Sequence, residues 1–357
     1  MNKLSILDKY IARNVITSVT FTLLILVGLR TLFSLLDETG DLGKGNYEFI
    51  DATYYVLLLI PARIYELFPM SVLIGGLSAL GVMSSQSELT VMRAIGIKTQ
   101  SIVGSTLKAT LVLMFIIIIV GEFIAPVASR EAQQLRAAEI SGGHITQSKT
   151  GVWARSQNDI LHIKRIVSSD ELVGVTLFRL DNKARLLEMV SSPEAFFNQQ
   201  TWVLQNAVSR KPGETEIEQQ THSVYMWEGE LDPQHVDVLT VEPEMLNLAG
   251  LLEYQDYLEN NQLDAGRYQL AFWRKVAQPI ALIVMMVLAS SFIFGPMRSV
   301  SMGARLMSGI VVGFAFHIAS QFFGPISLVY NLPPFLGAMM PLLLFGGIAI
   351  FLLKRAS

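Results

Sequence analysis

Residues Ile102–Ile124 read IVGSTLKATLVLMFIIIIVGEFI, with one base near the start and one acid near the end. Crossing a bilayer takes ~20 residues of apolar helix, and this run supplies them. Comparable blocks occupy roughly Ile11–Leu36, Ala52–Met83, Phe272–Phe294, Leu306–Tyr330 and Phe335–Leu353. The expected architecture is therefore an α-helical polytopic membrane protein of six spans, three on each side of a long polar insert. Ala52–Met83 is longer than a span requires, and Pro61 and Pro69 interrupt it, which predicts a kinked or tilted helix. The block Val15–Leu36 is too long for the apolar region of a signal peptide and no small-residue cleavage site follows it, so it reads as a first span.

Composition supports this. Of 357 residues, 51% are hydrophobic and 16% charged, more apolar than a soluble domain needs. A net charge of −3 offers no basic surface for nucleic acid. Cysteine is absent, which excludes a disulfide framework and a thiolate nucleophile. The five histidines lack metal-ligand spacing, and no cofactor is expected. No G-x-x-x-x-G-K-[ST] run occurs, and Gly40–Gly45 lacks its spacing, so any ATP that drives this chain must bind a separate subunit.

Charge sets the expected orientation. Lys3, Lys9, Arg13, Arg93, Lys98, Arg298, Arg305, Lys354 and Arg355 fall on one side, taken as cytoplasmic. Asp37, Glu38, Asp41, Glu48 and Asp51, against the single base Lys44, fall on the other. Both termini then face the cytoplasm, and the insert faces outward. The insert, about residues 130–262, separates a first membrane unit (1–129) from a second (263–357). Within it Val173, Val175 and Leu177 alternate with Gly174, Thr176 and Phe178, the period of a half-buried strand. Further strands are expected at Ile160–Ile166, Arg185–Val190, Thr201–Ser209 and Glu214–Trp227, with turns at Asp181-Asn182 and Lys211-Pro212-Gly213. The result is an all-β sandwich or jelly roll, followed by a short helix from Met245 to Asn261. No internal repeat accompanies the three-plus-three layout.

Three constellations carry the functional reading. On the cytoplasmic side, residues 84–96 read SSQSELTVMRAIG. Ser85 and Glu88 have capping-box spacing, and Gly96 is a natural stop. Leu89, Met92 and Ile95 share a face, with Glu88 and Arg93 off it. Such a helix between spans two and three is either a coupling helix for an ATPase, whose carboxylate would meet a partner arginine, or an interfacial helix whose Glu88 caps its own N-terminus.

At the outer face, Arg30, Lys44, Arg63, Arg130 and Arg136 form a basic ring. Cations at membrane depth are costly and face a cavity or partner; phosphate groups of a glycolipid fit them, as does snorkelling to lipid phosphates. In spans two and five, Gly75, Gly76, Ala79, Gly309 and Gly313 permit close helix approach. Phe68, Met70, Phe314, Phe316, Phe322 and Phe323 could line a space for acyl chains or serve as packing. Glu122 reads as a helix–helix or interfacial contact. Gly76-Leu77-Ser78-Ala79 and His317 sketch an intramembrane serine protease pair, but Ala79 stands where such a protease has glycine, and close packing explains a small serine.

The sequence resembles the LptF/LptG permease family of the lipopolysaccharide exporter over nearly its whole length. The resemblance is carried by Leu7-Asp8-Lys9-Tyr10-Ile11, Phe68-Pro69-Met70, Ser87-Glu88-Leu89-Thr90-Val91-Met92, Asp264-Ala265-Gly266-Arg267-Tyr268-Gln269-Leu270, Ser291-Phe292-Ile293-Phe294-Gly295-Pro296 and Phe323-Gly324-Pro325 with Pro333-Pro334. It implies a non-catalytic permease subunit paired with the paralogue LptF, a cytoplasmic LptB ATPase dimer that binds the ATP, a single-span LptC and a periplasmic bridge protein LptA. It implies that lipopolysaccharide enters from the outer leaflet of the inner membrane between spans one and five of opposing subunits. Glu88 matches the family's coupling-helix glutamate, with Leu89, Met92 and Arg93 around it, and Arg136 matches a basic position. Two features depart from the family: Ser34 stands where relatives carry lysine, and Gly40-Asp41 replaces a basic pair. A lipoprotein-releasing or signal-transmitting permease with a similar outer domain is the alternative.

Overall fold

The computed structural model describes residues 6–140, 152–156, 159–168, 170–181, 185–198, 201–212, 217–227, 242–260, 263–295 and 300–356. Lys3, Asn182, Gly213, the start of the last expected strand at 214–216, Pro296 and Arg298 lie outside them.

Among the described residues, six helices are long and apolar enough to cross a membrane. Span one is α1 (Ile6–Glu38). A short apolar helix, α2 (Phe49–Leu58), precedes span two, α3 (Ile60–Ser85). The single long block expected from Ala52 to Met83 is thus two helices, parted at Leu59. Pro61 sits in the first turn of α3, where its missing N–H costs nothing, while Pro69 remains inside the helix. After α4 (Glu88–Ala94), span three runs as α5 (Thr99–Ile119), a π-turn at Val120–Ile124, and α6 (Ala125–Ile140). The helix therefore continues past the apolar run that marks its membrane segment. Beyond the β-domain come α7 (Leu248–Asn260) and spans four to six, α8 (Gly266–Phe294), α9 (Met302–Val329) and α10 (Pro334–Ala356).

Spans two and four form the centre of the membrane unit: 72% and 56% of their most apolar windows are buried, against 17% for spans one and five. On α1, Ile11, Val15 and Val19 recur every fourth residue as one buried stripe against Leu73, Leu77 and Leu80 of α3. Small residues set how near the helices come. A β-carbon on Gly75 would lie 2.5 Å from Val19 Cα, and one on Gly76 3.1 Å from Ala289 Cβ. Gly309 sits against Leu77, and Gly313 against Met70. Because the obstacle at Gly75 is backbone, Gly75→Ala is expected to push spans one and two apart and to cost about 1–3 kcal/mol. Thermal denaturation of the purified chain in detergent checks this; an unchanged midpoint would show that α1 slides freely.

The middle of the insert is β-sheet, as the alternation predicts. Its described strands are β1 (Val152–Ser156), β2 (Asp159–Ser168), β3 (Glu171–Leu180), β4 (Leu186–Asn198), β5 (Thr201–Pro212) and β6 (Ile217–Trp227). They pair antiparallel in sequence order, each strand with its neighbour. The core holds Leu161, Ile163, Leu177, Val190, Trp202 and Trp227, and the Trp227 indole donates to Asp159 at 2.8 Å. In β3, Val175 and Leu177 are buried as alternation requires, but Leu172 is buried in place of Val173. Gly174, at φ +68°, interrupts the pleat between them.

Candidate functional site

The candidate residues fall into three places: an outer rim, a cavity at membrane depth, and the inner-face helix α4.

At the rim, Arg136 on α6 meets the end of span one. Its Nε donates to Glu38 at 2.9 Å, and a second nitrogen donates to Asp41. The guanidinium carbon lies 5.5 Å from the centre of the Tyr55 ring, and Tyr47 donates its hydroxyl to Glu38 at 3.0 Å. Burial first, then the Glu38 hydrogen bond and charge, push the Tyr47 phenol above its ordinary value, so it stays a donor. Lys44 pairs with Asp41 from the same loop, whose turn uses Gly43 and Gly45 at positive φ and bonds Asn46 N–H to Glu139 O at 2.8 Å.

Two of the acids counted as outer-side charge in sequence, Glu38 and Asp41, are therefore direct partners of the basic ring, while Glu48 and Asp51 form the capping box of α2. Arg136 is not simply a free cation at the rim. A guanidinium has five N–H donors, so these two bonds leave others to offer.

The rest of the ring is dispersed. Arg30, on span one, lies 4.0 Å from Asp37. Arg63 donates to Glu66, one helical turn on, at 3.3 Å. Arg130 is exposed on α6. The structure gathers Arg136 and Lys44 around Glu38 and Asp41, whereas Arg30 and Arg63 pair with acids of their own helices.

At membrane depth, spans two, four, five and six and the π-turn enclose a cavity of about 390 Å³, lined among others by Tyr65, Met70, Lys275, Gln278, Phe316 and His317. Two of the expected acyl-facing residues, Met70 and Phe316, reach it. Phe316 packs edge-on against Phe345, ring centres 5.3 Å apart. Phe68 is buried in the helix core, while Phe314 and Phe322 are exposed on the outside of span five. Lys275 donates to Glu122 Oε2 at 3.2 Å and to Gly121 O at 3.1 Å, and Gln278 donates to Tyr65 O at 2.8 Å. Glu122 Oε1 also accepts the Leu248 N–H at the start of α7.

Glu122 is thus a helix–helix contact, as the sequence reading has it. Arg274 and Lys275 were overlooked there, although two bases inside an apolar span are themselves a signal; starting that span at Phe272 hid nothing but their importance.

Ser78 and His317 do not make a catalytic pair. Spans two and five run antiparallel, with Gly309 level with Leu77 and Gly313 level with Met70. That places His317 eight residues from the level of Ser78, ~12 Å along the helix.

At the inner face, α4 is shorter than its sequence window. The expected capping box does not form: Ser87 precedes the helix at φ +64° without a side-chain cap, and Ser85 donates to Val82 O at 2.8 Å. Glu88 Oε1 instead accepts the Tyr10 hydroxyl of span one at 2.8 Å. Its Oε2 is buried, and no donor reaches it among the described residues. Leu89 is buried and Met92 half-buried in the membrane core, while Val91, Arg93 and Ile95 are exposed. Gly96 ends the segment at φ +94°, as expected.

Six candidate spans among the described residues, three on each side of a β-sheet domain, define a multi-pass membrane protein. The chain belongs to the lipopolysaccharide export system permease family LptF/LptG, whose family pattern matches residues 9–355. It is 35% identical, over the whole of both chains, to the lipopolysaccharide export system permease protein LptG of Escherichia coli strain K12. To LptG of Haemophilus influenzae strain ATCC 51907 it is 34% identical over 98% of each chain.

Proposed function

We propose that this chain is the permease subunit that draws lipopolysaccharide from the outer leaflet of the inner membrane and passes it towards a periplasmic bridge, without chemistry of its own. ATP is hydrolysed in a separate LptB dimer, and the cavity wall is completed by LptF, with LptC and LptA carrying the lipid onward. Both termini face the cytoplasm and the β-domain faces the periplasm.

The observation that carries this reading is Glu88. It sits on the helix between spans two and three, caps nothing, and keeps one carboxylate oxygen with no donor among the described residues. Burying an unsatisfied charged acceptor is costly unless a partner supplies the donor. Membership of the family makes an ATPase the natural supplier. The exposed apolar flanks of spans one and five, including Phe21, Leu24, Phe33, Val311, Phe314 and Phe322, support lipid entry between those spans of opposing subunits. Arg136, with donors beyond those bonded to Glu38 and Asp41, is the rim residue best placed to bind a headgroup phosphate, and Lys44 shares Asp41 with it.

The tagged chain, co-purified in mild detergent and analysed by mass spectrometry, is expected to carry lipopolysaccharide and an ATPase. Recovery of acylated protein in place of glycolipid would favour a lipoprotein-releasing permease. Arg136→Glu places a third carboxylate beside Glu38 and Asp41 and removes the cation. Photocrosslinking to lipopolysaccharide at the rim is expected to fall about tenfold or more, the scale of one lost charge-assisted contact. Unchanged crosslinking would remove Arg136 from the lipid path.

A further inference from the structure

Span one is the least anchored helix of the membrane unit together with span five, with 17% of its apolar window buried. Its inner end, however, is tied twice. Asp8 accepts from Ser105 Oγ and from Lys108 Nζ of α5, the latter at 3.0 Å. Two residues further on, Tyr10 donates to Glu88 Oε1 of α4 at 2.8 Å. The two ties reach the helices on either side of the inner connection between α4 and α5.

Glu88 is the first residue of α4 and follows Ser87, which is in the left-handed region at φ +64°. The helix is seated by Leu89 and Met92, which grip the core but do not orient the carboxylate. An ionised carboxylate only accepts hydrogen bonds, at about four lone-pair sites. Tyr10 occupies one of them on Oε1, and Oε2 is buried with no donor among the described residues. Among the described residues, the phenol is therefore the hydrogen bond that fixes which way Glu88 points.

We infer that Tyr10 is a positioning residue for energy coupling: its hydroxyl holds the Glu88 carboxylate in the geometry the ATPase engages and hands the displacement of α4 to span one. This rests on the reading of Glu88 as the ATPase contact. It deepens that reading by naming the route from the inner-face helix to a gate helix. The coupling does not have to pass through span two or three first, since the bond joins α4 to α1 directly.

The test uses the complete transporter in nanodiscs, comparing ATP hydrolysis with lipopolysaccharide released per ATP. Tyr10→Phe removes one oxygen and keeps the ring. It is expected to leave assembly intact and to lower release per ATP about three- to tenfold, the scale of a lost hydrogen bond to a charged group. Glu88→Gln is expected to lower it at least as far. The double variant is expected to be no worse than Glu88→Gln alone, because both changes act on one contact. Full coupling in Tyr10→Phe beside a defective Glu88→Gln would overturn the inference and leave the proposed function standing. Additive losses would also overturn it, placing the action of Tyr10 elsewhere. A silent Glu88→Gln would instead sink the ATPase contact itself.

Discussion

Glu88→Ala is expected to weaken docking of the ATPase by about 3 kcal/mol, a little over a hundredfold, and to stop nucleotide-driven release of lipopolysaccharide. The size follows from what is removed. Glu88 is half-buried, holds one bond from Tyr10, and has a second oxygen that no donor among the described residues satisfies. A partner guanidinium reaching this carboxylate would form a charge-assisted bond in a site already shielded from water. Truncation leaves that guanidinium without its acceptor, and a buried charge left unpaired accounts for much of the loss. Leu89 and Met92 still seat α4 on the bundle, so the chain itself should remain folded. Pull-down of the ATPase across a titration, alongside release measured in vesicles, separates docking from coupling. A variant that assembles and exports normally would contradict the role.

Lys275→Ala is expected to destabilise the membrane unit by about 3–5 kcal/mol, the usual consequence of removing one partner of a buried ion pair. The side chains of Lys275 and Glu122 are 10% and 19% exposed. The pair fastens span four to the π-turn of span three, where Lys275 also holds the Gly121 carbonyl. Gly121 is tight for a reason: a β-carbon there would collide with the Tyr65 ring, which lies 5.9 Å from Lys275 Nζ. Glu122 carries the connection outward by accepting the N–H of Leu248 at the start of α7. Alanine at 275 would leave that carboxylate with a single donor at membrane depth. Adding Glu122→Gln removes the stranded charge while keeping an acceptor for Leu248, so the double variant is expected to recover much of the loss. The midpoint of thermal denaturation in detergent reads both. A Lys275→Ala chain as stable as the parent would show that Glu122 is balanced by α7 alone.

Much of the architecture is legible because its signals are local. A bilayer imposes a length and a composition on each span, so an apolar run such as Ile102–Ile124 announces itself. A half-buried strand imposes a period of two, so β3 does the same at Val175 and Leu177. Helix punctuation was less secure. Pro61 cut one expected helix into α2 and α3, and span three continued through a π-turn into α6, since neither a proline's position in a turn nor a polar helix leaving the membrane is marked by hydropathy.

The functional groups divide in the same way. Sequence alone determined which residues carry charge at unusual places: Glu88 on a short helix between spans two and three, and Arg136 beyond span three. Only tertiary structure decided their partners, because Tyr10 and Glu88, or Glu38 and Arg136, lie far apart along the chain. Spacing along a chain encodes period and length, which one helix or strand enforces on itself. The pairing of two charges depends on how separate helices pack, and no local pattern records it.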